Sequence, residues 1–436
     1  MQLPRPQNPE YAAIVVRIPA LIPLAGRDRI VGVPVLGRQA ITAKDTYQPG
    51  DLALYFPTEV QLSADYCRAL NLFRDASLNA DPTVTGYLEP NRRVRALKLG
   101  SHRSDALLMP LASLTWLGLD PSLLREHDTF DTLGGIELCR KYVVPTRASS
   151  APKLQTPKQT RIASKHFPEH LDTANWWRQR QLLDDDDQIT VTQKVHGTSH
   201  RVANTLAAIP APARLLQRLG HWVARKTGVP IQTHDYAPVY GSRRVIKDIG
   251  NADQNHFYAT VDGVDLWTHY GRILDGLLPQ GYIAYGELIG WNLDGSPIQK
   301  DYTYRIPHGK AELLIYRVAV VNPQGVQLDL TWDQVEEFCS TLGLKTVPVL
   351  WRGRAADFDP DQWMDTRYFE AGYRHAIPLD PGKQPDEGVV VRRDGLKPLL
   401  LKAKSPGFLR YETKELDAGH ADIESIEGAT ELQAAA

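Results

Sequence analysis

Short apolar runs rich in β-branched and aromatic residues recur along this chain, each closed by glycine, proline or aspartate, and that rhythm points to sheets. In the first part of the sequence the runs are AAIVVRI, RIVGVPVLG, QAITAK, GDLALYFP and RRVRALKLGSHRSDALLMP. Further on they are DQITVTQK, YIAYGELIG, ELLIYRVAVV, DEGVVVRR and PLLLKAK. Strand side chains alternate between faces, so Thr190, Thr192 and Lys194 share one face, as do Lys402 and Lys404. A charge inside an apolar strand faces a site more often than a core, because an unpaired buried charge is costly. None of the runs approaches the roughly 20 apolar residues of a bilayer-spanning helix, so no membrane partner is expected. The fold class read from this pattern is α+β, with a small antiparallel, OB-like β-barrel first and a larger domain of antiparallel sheets after it.

At 436 residues the chain exceeds one hydrophobic core and is read as two domains. The seam is Arg140 to Lys165, which holds seven basic residues (Arg140, Lys141, Arg147, Lys153, Lys158, Arg161, Lys165), no acid, and Pro145, Pro152 and Pro157. It reads as a semi-extended basic linker, either simply solvated or in contact with phosphate. The expected boundaries are 1–145 for the barrel module, 146–165 for the linker, 166–412 for the second domain and 413–436 for an acidic tail. From Tyr411 onward seven Asp or Glu stand against Lys414 alone, which suits a helix or a disordered end.

A net charge of −1 hides the local distribution. Arg92, Arg93, Arg95, Lys98 and Arg103 gather on or beside one strand of the first module and make it a candidate nucleic-acid-binding face. A small barrel with no ligand is the plainer alternative. The start, MQLPRPQNPEY, lacks the charged and apolar regions of a signal peptide, and Cys67, Cys139 and Cys339 are too scattered for a disulfide framework, so a reducing cytoplasm is expected.

Two motifs are set aside. His166-Phe-Pro-Glu-His170 matches a metal pattern that needs both histidines on one helical face, and Pro168 breaks that turn. Asp184 to Asp187, four carboxylates ahead of a strand, read as a solvated turn. No GxxxxGK[ST] phosphate loop is present, so a nucleotide would be held some other way.

The informative stretch is VTQKVHGTSHRV, residues 191–202, in which a strand ends in Lys194 and is followed by His196-Gly197. By itself this could be a strand and a turn. In order behind it come Gly241-Ser-Arg-Arg, Tyr285-Gly-Glu287, Tyr316 in a strand, Asp386-Glu387-Gly-Val-Val and Leu401-Lys-Ala-Lys404. Together these six elements resemble the motifs of the covalent nucleotidyltransferase superfamily, whose K-x-[DH]-G lysine takes up AMP or GMP. The resemblance implies that the second domain is a nucleotidyltransferase domain and that Lys194 is the nucleophile. It further implies that Lys402 and Lys404 act on the phosphates, Glu387 on a divalent metal (Mg or Mn), Glu287 on the ribose, and Arg243 near the ribose or the substrate phosphate. Tyr316 would face adenine, with Gln193, His196 and Gly197 completing the nucleotide site. The chemistry agrees with the residue types: a lysine amine attacks only when neutral, and ammonium groups stabilise the charge that grows on the phosphoryl oxygens.

Only 32 residues follow Lys404, too few for the barrel that DNA ligases and capping enzymes carry there. A barrel ahead of the catalytic domain resembles instead the ATP-dependent RNA ligases that seal 3′-OH/5′-phosphate nicks, and the segments GDLALYFPTEVQLS and KLGSHRSDALLMPL look like that group's N-terminal module. The resemblance therefore implies an ATP-dependent RNA ligase that acts on nicked RNA or RNA/DNA duplexes through lysyl-AMP and an adenylylated 5′-phosphate. A monomer is expected. The alternatives are another covalent nucleotidyltransferase, such as a DNA ligase or capping-like enzyme, and a silent RNA-binding protein of the same fold. Three positions depart from the pattern: His196 stands where many members have Asp, Gln193 replaces a Glu, and Arg317 replaces the Asp usual after the aromatic residue. Gln193, both donor and acceptor, could still read a base edge. Between the first two motifs, Leu215, Leu216, Leu219, Trp222 and Val223 fall at helical spacing among Arg214, Arg218, Arg225 and Lys226, which reads as an inserted helix docked on the domain or a basic cover over nucleic acid. The barrel is expected to hold the nick and to be dispensable for forming the lysyl-AMP bond.

Overall fold

The structure is a computed structural model that describes residues 3–144, 161–209, 222–223, 226–247 and 264–419. In the N-terminal unit Ala13–Arg17 lies between Leu52–Pro57 and Thr129–Phe130, and Ala106–Pro110 extends the sheet beyond Leu52–Pro57, all antiparallel. Alternation along these strands feeds two cores. Val15, Leu54 and Phe56 pack with Tyr66 and Phe130 on one face, while Ile14, Val16 and Tyr55 pack with Val33 and Leu108 on the other. Ile22–Leu24, Arg27–Val35 and Arg38–Ala43 form a separate meander.

The expected closed barrel does not form among the described strands. Beyond the shared core, the meander is joined to the residues just ahead of Ala106–Pro110 by isolated hydrogen bonds, Asp105 N–H to Gln39 O at 2.7 Å, Gln39 Nε2 to Arg103 O at 2.8 Å and Ile41 N–H to Ser104 Oγ at 3.2 Å, and not through a strand ladder. Two of the sheet's strands end in Pro57 and Pro110, which have no N–H with which to carry a ladder further.

The second unit contains two sheets that are antiparallel apart from one short strand each, Ala174–Asn175 in the first and Lys345–Thr346 in the second. One has the order Ala174–Asn175, Leu399–Lys404, Gly388–Arg393, Gln188–Lys194, Val349–Arg354, with only the short Ala174–Asn175 strand parallel to its neighbour. The other centres on Thr198–Ala208, Tyr282–Gly290 and Ala311–Val321, flanked by His234–Gly241 and Gln327–Asp329. Val195, His196 and Gly197 are the crossing from one sheet to the other. At Gly197 a Cβ would lie 2.2 Å from Leu288 O, so a side chain there would push the crossing off the Tyr282–Gly290 strand.

Among the described residues no helix is long and apolar enough to cross a membrane. The linker residues 145–160, most of the 210–225 insertion and the tail from 420 onward lie outside the described residues. Within the insertion, Trp222 and Val223 are exposed. The helix Pro406–Asp417 runs across the expected boundary at 412/413, because Phe408, Leu409 and Thr413 are all buried and fasten it to the body on both sides of that point. Asp184 to Asp187 form a turn answered by arginines: Arg180 reaches Asp185, Arg354 reaches Asp186 and Arg393 reaches Asp187.

Candidate active site

The ends of three adjacent strands bring the charged residues together. Lys194 closes its strand opposite Gly388, and Gly388 is in turn opposite Lys404. Gly388 has φ +141, and a Cβ there would lie 2.0 Å from Ala403 O, so the strand ends can approach this closely only at glycine. Glu387, next in the chain, is buried, and its Oε1 lies 2.8 Å from Lys194 Nζ and 3.3 Å from Lys404 Nζ. Burial alone would raise this carboxyl, but the ammonium groups of Lys194 and Lys404 outweigh it and hold it at about 2. Lys404 also meets Glu412 at 3.2 Å, and against the cost of burial the two carboxylates raise its affinity for the proton.

Lys402 lies two residues earlier on the same face. Burial, reinforced by the charges of Lys404, Lys194 and Arg243 and opposed by Glu10, brings its ammonium down to about 8. The site thus brings Lys194 and Lys404 onto the buried Glu387 carboxylate, with Lys402 close enough to feel Lys194, Lys404 and Arg243, a group of cations suited to a polyanion. Arg243 reaches it from the other sheet and pairs with Asp172 at 3.0 Å.

His196 sits between the sheets with its ring against Tyr302 and Phe408, and its Nδ1 lies 3.8 Å from Glu387 Oε2. Burial lowers it to about 4, so it is a neutral imidazole at neutral pH. Its backbone N–H donates to Tyr304 Oη at 2.6 Å, the Gly197 N–H donates to Glu287 Oε1 at 3.2 Å, and Gln299 Nε2 donates to Gly197 O at 2.8 Å. Tyr302, Tyr304 and Gln299 are site residues that the sequence does not reveal. Their signal, an aromatic pair in DYTYR between two motifs, carries no spacing rule. The backbone marks them better: Asp301, Tyr304 and Arg305 all take positive φ, a strained loop wrapped around the His196-Gly197 crossing.

Glu387 Oε2 is buried and takes no hydrogen bond among the described residues. With the His196 imidazole nitrogen beside it, this oxygen suits a hard divalent cation that draws its remaining ligands from phosphate and water. No cluster of three or more His, Cys, Asp or Glu is placed to hold a metal without such help, among the described residues.

Several sequence expectations change here. Gln193 is not free to read a base: its Nε2 donates to Asp386 Oδ1 at 2.7 Å and to Ile377 O at 3.2 Å, and its Oε1 accepts from the Ile377 N–H at 2.8 Å. As the strand neighbour of Lys194, it points to the opposite face, into the interior. Tyr316 occupies a bulge in its strand, and its hydroxyl meets His170 Nδ1 at 2.5 Å. His170 and His166 are accordingly tied separately, the latter to Pro323 O, and not to a shared metal. Arg317, at the position of the usual Asp, is buried against Asp329 and over the Tyr285 ring.

The basic face of the N-terminal unit is largely spent inside the molecule. Arg93 is buried and bound to Glu59, Thr413 O and Asp417, so it is corrected from a nucleic-acid contact to a structural one. Arg95 faces Glu89 and Asp417, and Arg103 faces Asp105 and Asp365. Arg92 donates to Leu62 O, and Lys98 is exposed on the Leu97–Leu99 strand.

The family model for RNA ligase matches residues 187–404, half of the chain. The chain belongs to the RNA ligase family. A sequence comparison with curated proteins finds no match. Among solved structures, this family member is similar to Naegleria gruberi RNA ligase with PPi, at 16% identity and a TM-score of 0.57 over 93% of this chain and 99% of that one. It is similar to an apo mutant of the same ligase (16%, TM-score 0.58, 94% and 100%) and to a lysine-to-alanine mutant of it with ATP and Mn (15%, TM-score 0.55, 93% and 98%). At that identity the likeness shows a shared fold, and it extends over the N-terminal unit as well as the ligase domain.

Proposed function

We propose that this RNA ligase uses ATP and a divalent cation, Mg or Mn, to seal 3′-OH/5′-phosphate nicks in RNA or RNA/DNA duplexes. The observation that carries the reading is Lys194 Nζ at 2.8 Å from Glu387, flanked by Lys402 and Lys404 on a nearby strand of the same sheet. The Lys194 amine attacks the α-phosphorus of ATP, so that an N–P bond forms, the α–β anhydride breaks and pyrophosphate leaves, while the amine gives up its proton. An oxygen of the nick's 5′-phosphate then displaces Lys194 from phosphorus, and attack by the 3′-OH on the activated phosphate releases AMP. The similarity to a ligase solved with PPi and with ATP and Mn supports this choice of nucleotide and metal.

Lys402 and Lys404 aim positive charge at the phosphoryl oxygens, Lys404 from a position held by Glu387 and Glu412. Glu387 would orient Lys194, and Glu287, whose Oε1 accepts from the Gly197 N–H, would accept from a ribose hydroxyl. Glu387 Oε2 and His196 Nδ1 would hold the cation, which when bound neutralises phosphate charge. The N-terminal unit is proposed as an OB-like nucleic-acid module, with Lys98 and Arg92 as its remaining cations. Three buried free thiols, Cys67, Cys139 and Cys339, suit a reducing compartment such as the cytoplasm.

Incubation with α-labelled ATP and a divalent cation, followed by a denaturing gel and a panel of nicked duplexes, tests the reading. A labelled protein that passes AMP to a nicked RNA strand is the expected result. Label from GTP alone, or sealing of all-DNA nicks only, would refute it.

A further inference from the structure

Two arginines of the N-terminal unit reach across to the segment that carries Lys404. Arg38 is buried at the start of its strand, and its Nη1 donates to the main-chain carbonyl of Lys404 at 2.8 Å. Its guanidinium lies 4.9 Å from the centre of the Trp177 ring. The preceding residue, Gly37, has φ +65, and a Cβ there would lie 2.0 Å from that same ring. The contact therefore depends on close approach of the two units.

Arg93 grips the helix that follows Lys404. Its side chain is 1% exposed, with Nη1 3.1 Å from Glu59 Oε2 and Nη2 bonded to Thr413 O at 3.1 Å and to Asp417. Thr413 Oγ1 donates to Glu59 Oε1 at 3.1 Å and accepts from the Ala96 N–H at 3.2 Å. The adjacent helical residue is Glu412, whose carboxylate shares the Lys404 ammonium with Glu387. The N-terminal unit thus holds the main chain of Lys404 at one point and the helix bearing its counter-charge at another.

Burying two guanidinium groups is costly, and Arg38 spends its hydrogen bond on a neutral carbonyl. Such an arrangement is understandable where it fixes the position of an ammonium group, because transfer to Lys194 needs that charge in place when phosphorus is attacked. We infer that Arg38 and Arg93 are positioning residues for Lys404, and that the N-terminal unit takes part in forming Lys194-AMP as well as in holding RNA. This rests on the reading that ATP labels Lys194, and it departs from the expectation that the module is dispensable for that step.

The test uses the full chain with Arg38→Ala, Arg93→Ala, Arg38→Lys and Arg93→Lys, following single-turnover labelling from α-labelled ATP over a range of ATP concentrations. The maximal labelling rate of both alanine variants should fall roughly ten- to a hundredfold, with apparent ATP affinity changed by less than about threefold, since misplacement of a catalytic charge acts on the transition state. Arg38→Lys keeps a donor within reach of the carbonyl and should recover most of the rate. Thermal unfolding is followed in parallel, and should an alanine variant fail to fold, the lysine variants and Asp417→Asn, which removes one grip on the helix, carry the same comparison. Normal labelling with a defect only on nicked RNA would overturn the inference, as would rate, affinity and stability all falling together without rescue by lysine. Failure of the wild-type protein to take label from ATP would instead remove the functional reading itself.

Discussion

Lys194 Nζ lies 2.8 Å from Glu387 Oε1, at the point where the short His196-Gly197 crossing leads from the Lys194 strand into the second sheet. Lys194→Ala should abolish the protein-AMP adduct. Lys194→Arg should do so too, because a guanidinium stays protonated at any usable pH. The measurement is acid-labile label on a denaturing gel, and label persisting in both variants would place the nucleophile elsewhere.

The same pair makes stability depend on acid. Glu387 is held at about 2 in the folded protein against an ordinary 4.5, so the unfolded chain binds its proton first as pH falls. The stabilisation from this carboxylate is present above pH 4.5 and is lost as pH falls toward about 2. Denaturant midpoints of wild type and Glu387→Gln should therefore differ most near neutrality and converge toward pH 2–3. A constant gap across that window would contradict the ion-pair account.

Lys402, brought down to about 8, should lose its charge in mildly alkaline solution in the free enzyme. The apparent second-order constant for labelling by ATP should then fall above pH 8, since that constant reports free-enzyme ionisations. Lys402→Arg, which keeps its charge, should move this limb upward even if its plateau is lower. An unmoved limb would assign the titration to another group.

Gln193 predicts an unwelcome substitution. Gln193→Glu restores the residue common before this lysine but places a carboxylate against Asp386, which burial has already raised to about 6. Two facing buried carboxylates should cost roughly 2–4 kcal/mol in urea unfolding. The loss should be greater at pH 8 than at pH 5, because a raised folded-state carboxyl contributes stability only while it keeps its proton. Equal stability at both values would show that the amide does not serve Asp386 as described.

Lys98 and Arg92 test the remaining nucleic-acid face. Replacing both by Ala should leave Lys194 labelling intact while the slope of log affinity against log salt for nicked RNA falls by about one for each phosphate that is no longer neutralised. An unchanged slope would move the RNA-binding face elsewhere.

The strands between Lys194 and Lys404 and the sheet-rich class were legible in the sequence because they depend on local rules, alternation along a strand and charge where an apolar run must face a site, while the order of motifs was legible through its resemblance to a known superfamily. Gln193 shows the limit. Its residue type allows it to read a base, but its face of the strand and the position of Ile377, 184 residues away, decide that its amide is consumed inside the protein. The first module's strands were equally readable, while their failure to close a barrel depended on which edges met.

What the sequence determined by itself was the set of charged residues proposed for the chemistry, Lys194 with Lys402, Lys404 and Glu387, carried by the resemblance of their motifs. What only the tertiary structure decided was the use of the basic residues ahead of the linker. Arg93 and Lys98 look alike in a string of cations, yet one is buried against Glu59, Thr413 and Asp417 and the other is exposed. The physical reason is that a guanidinium's role is set by the partners that satisfy its donors, and for Arg38 and Arg93 those partners, Lys404 O and Thr413 O, lie more than three hundred residues away in the chain.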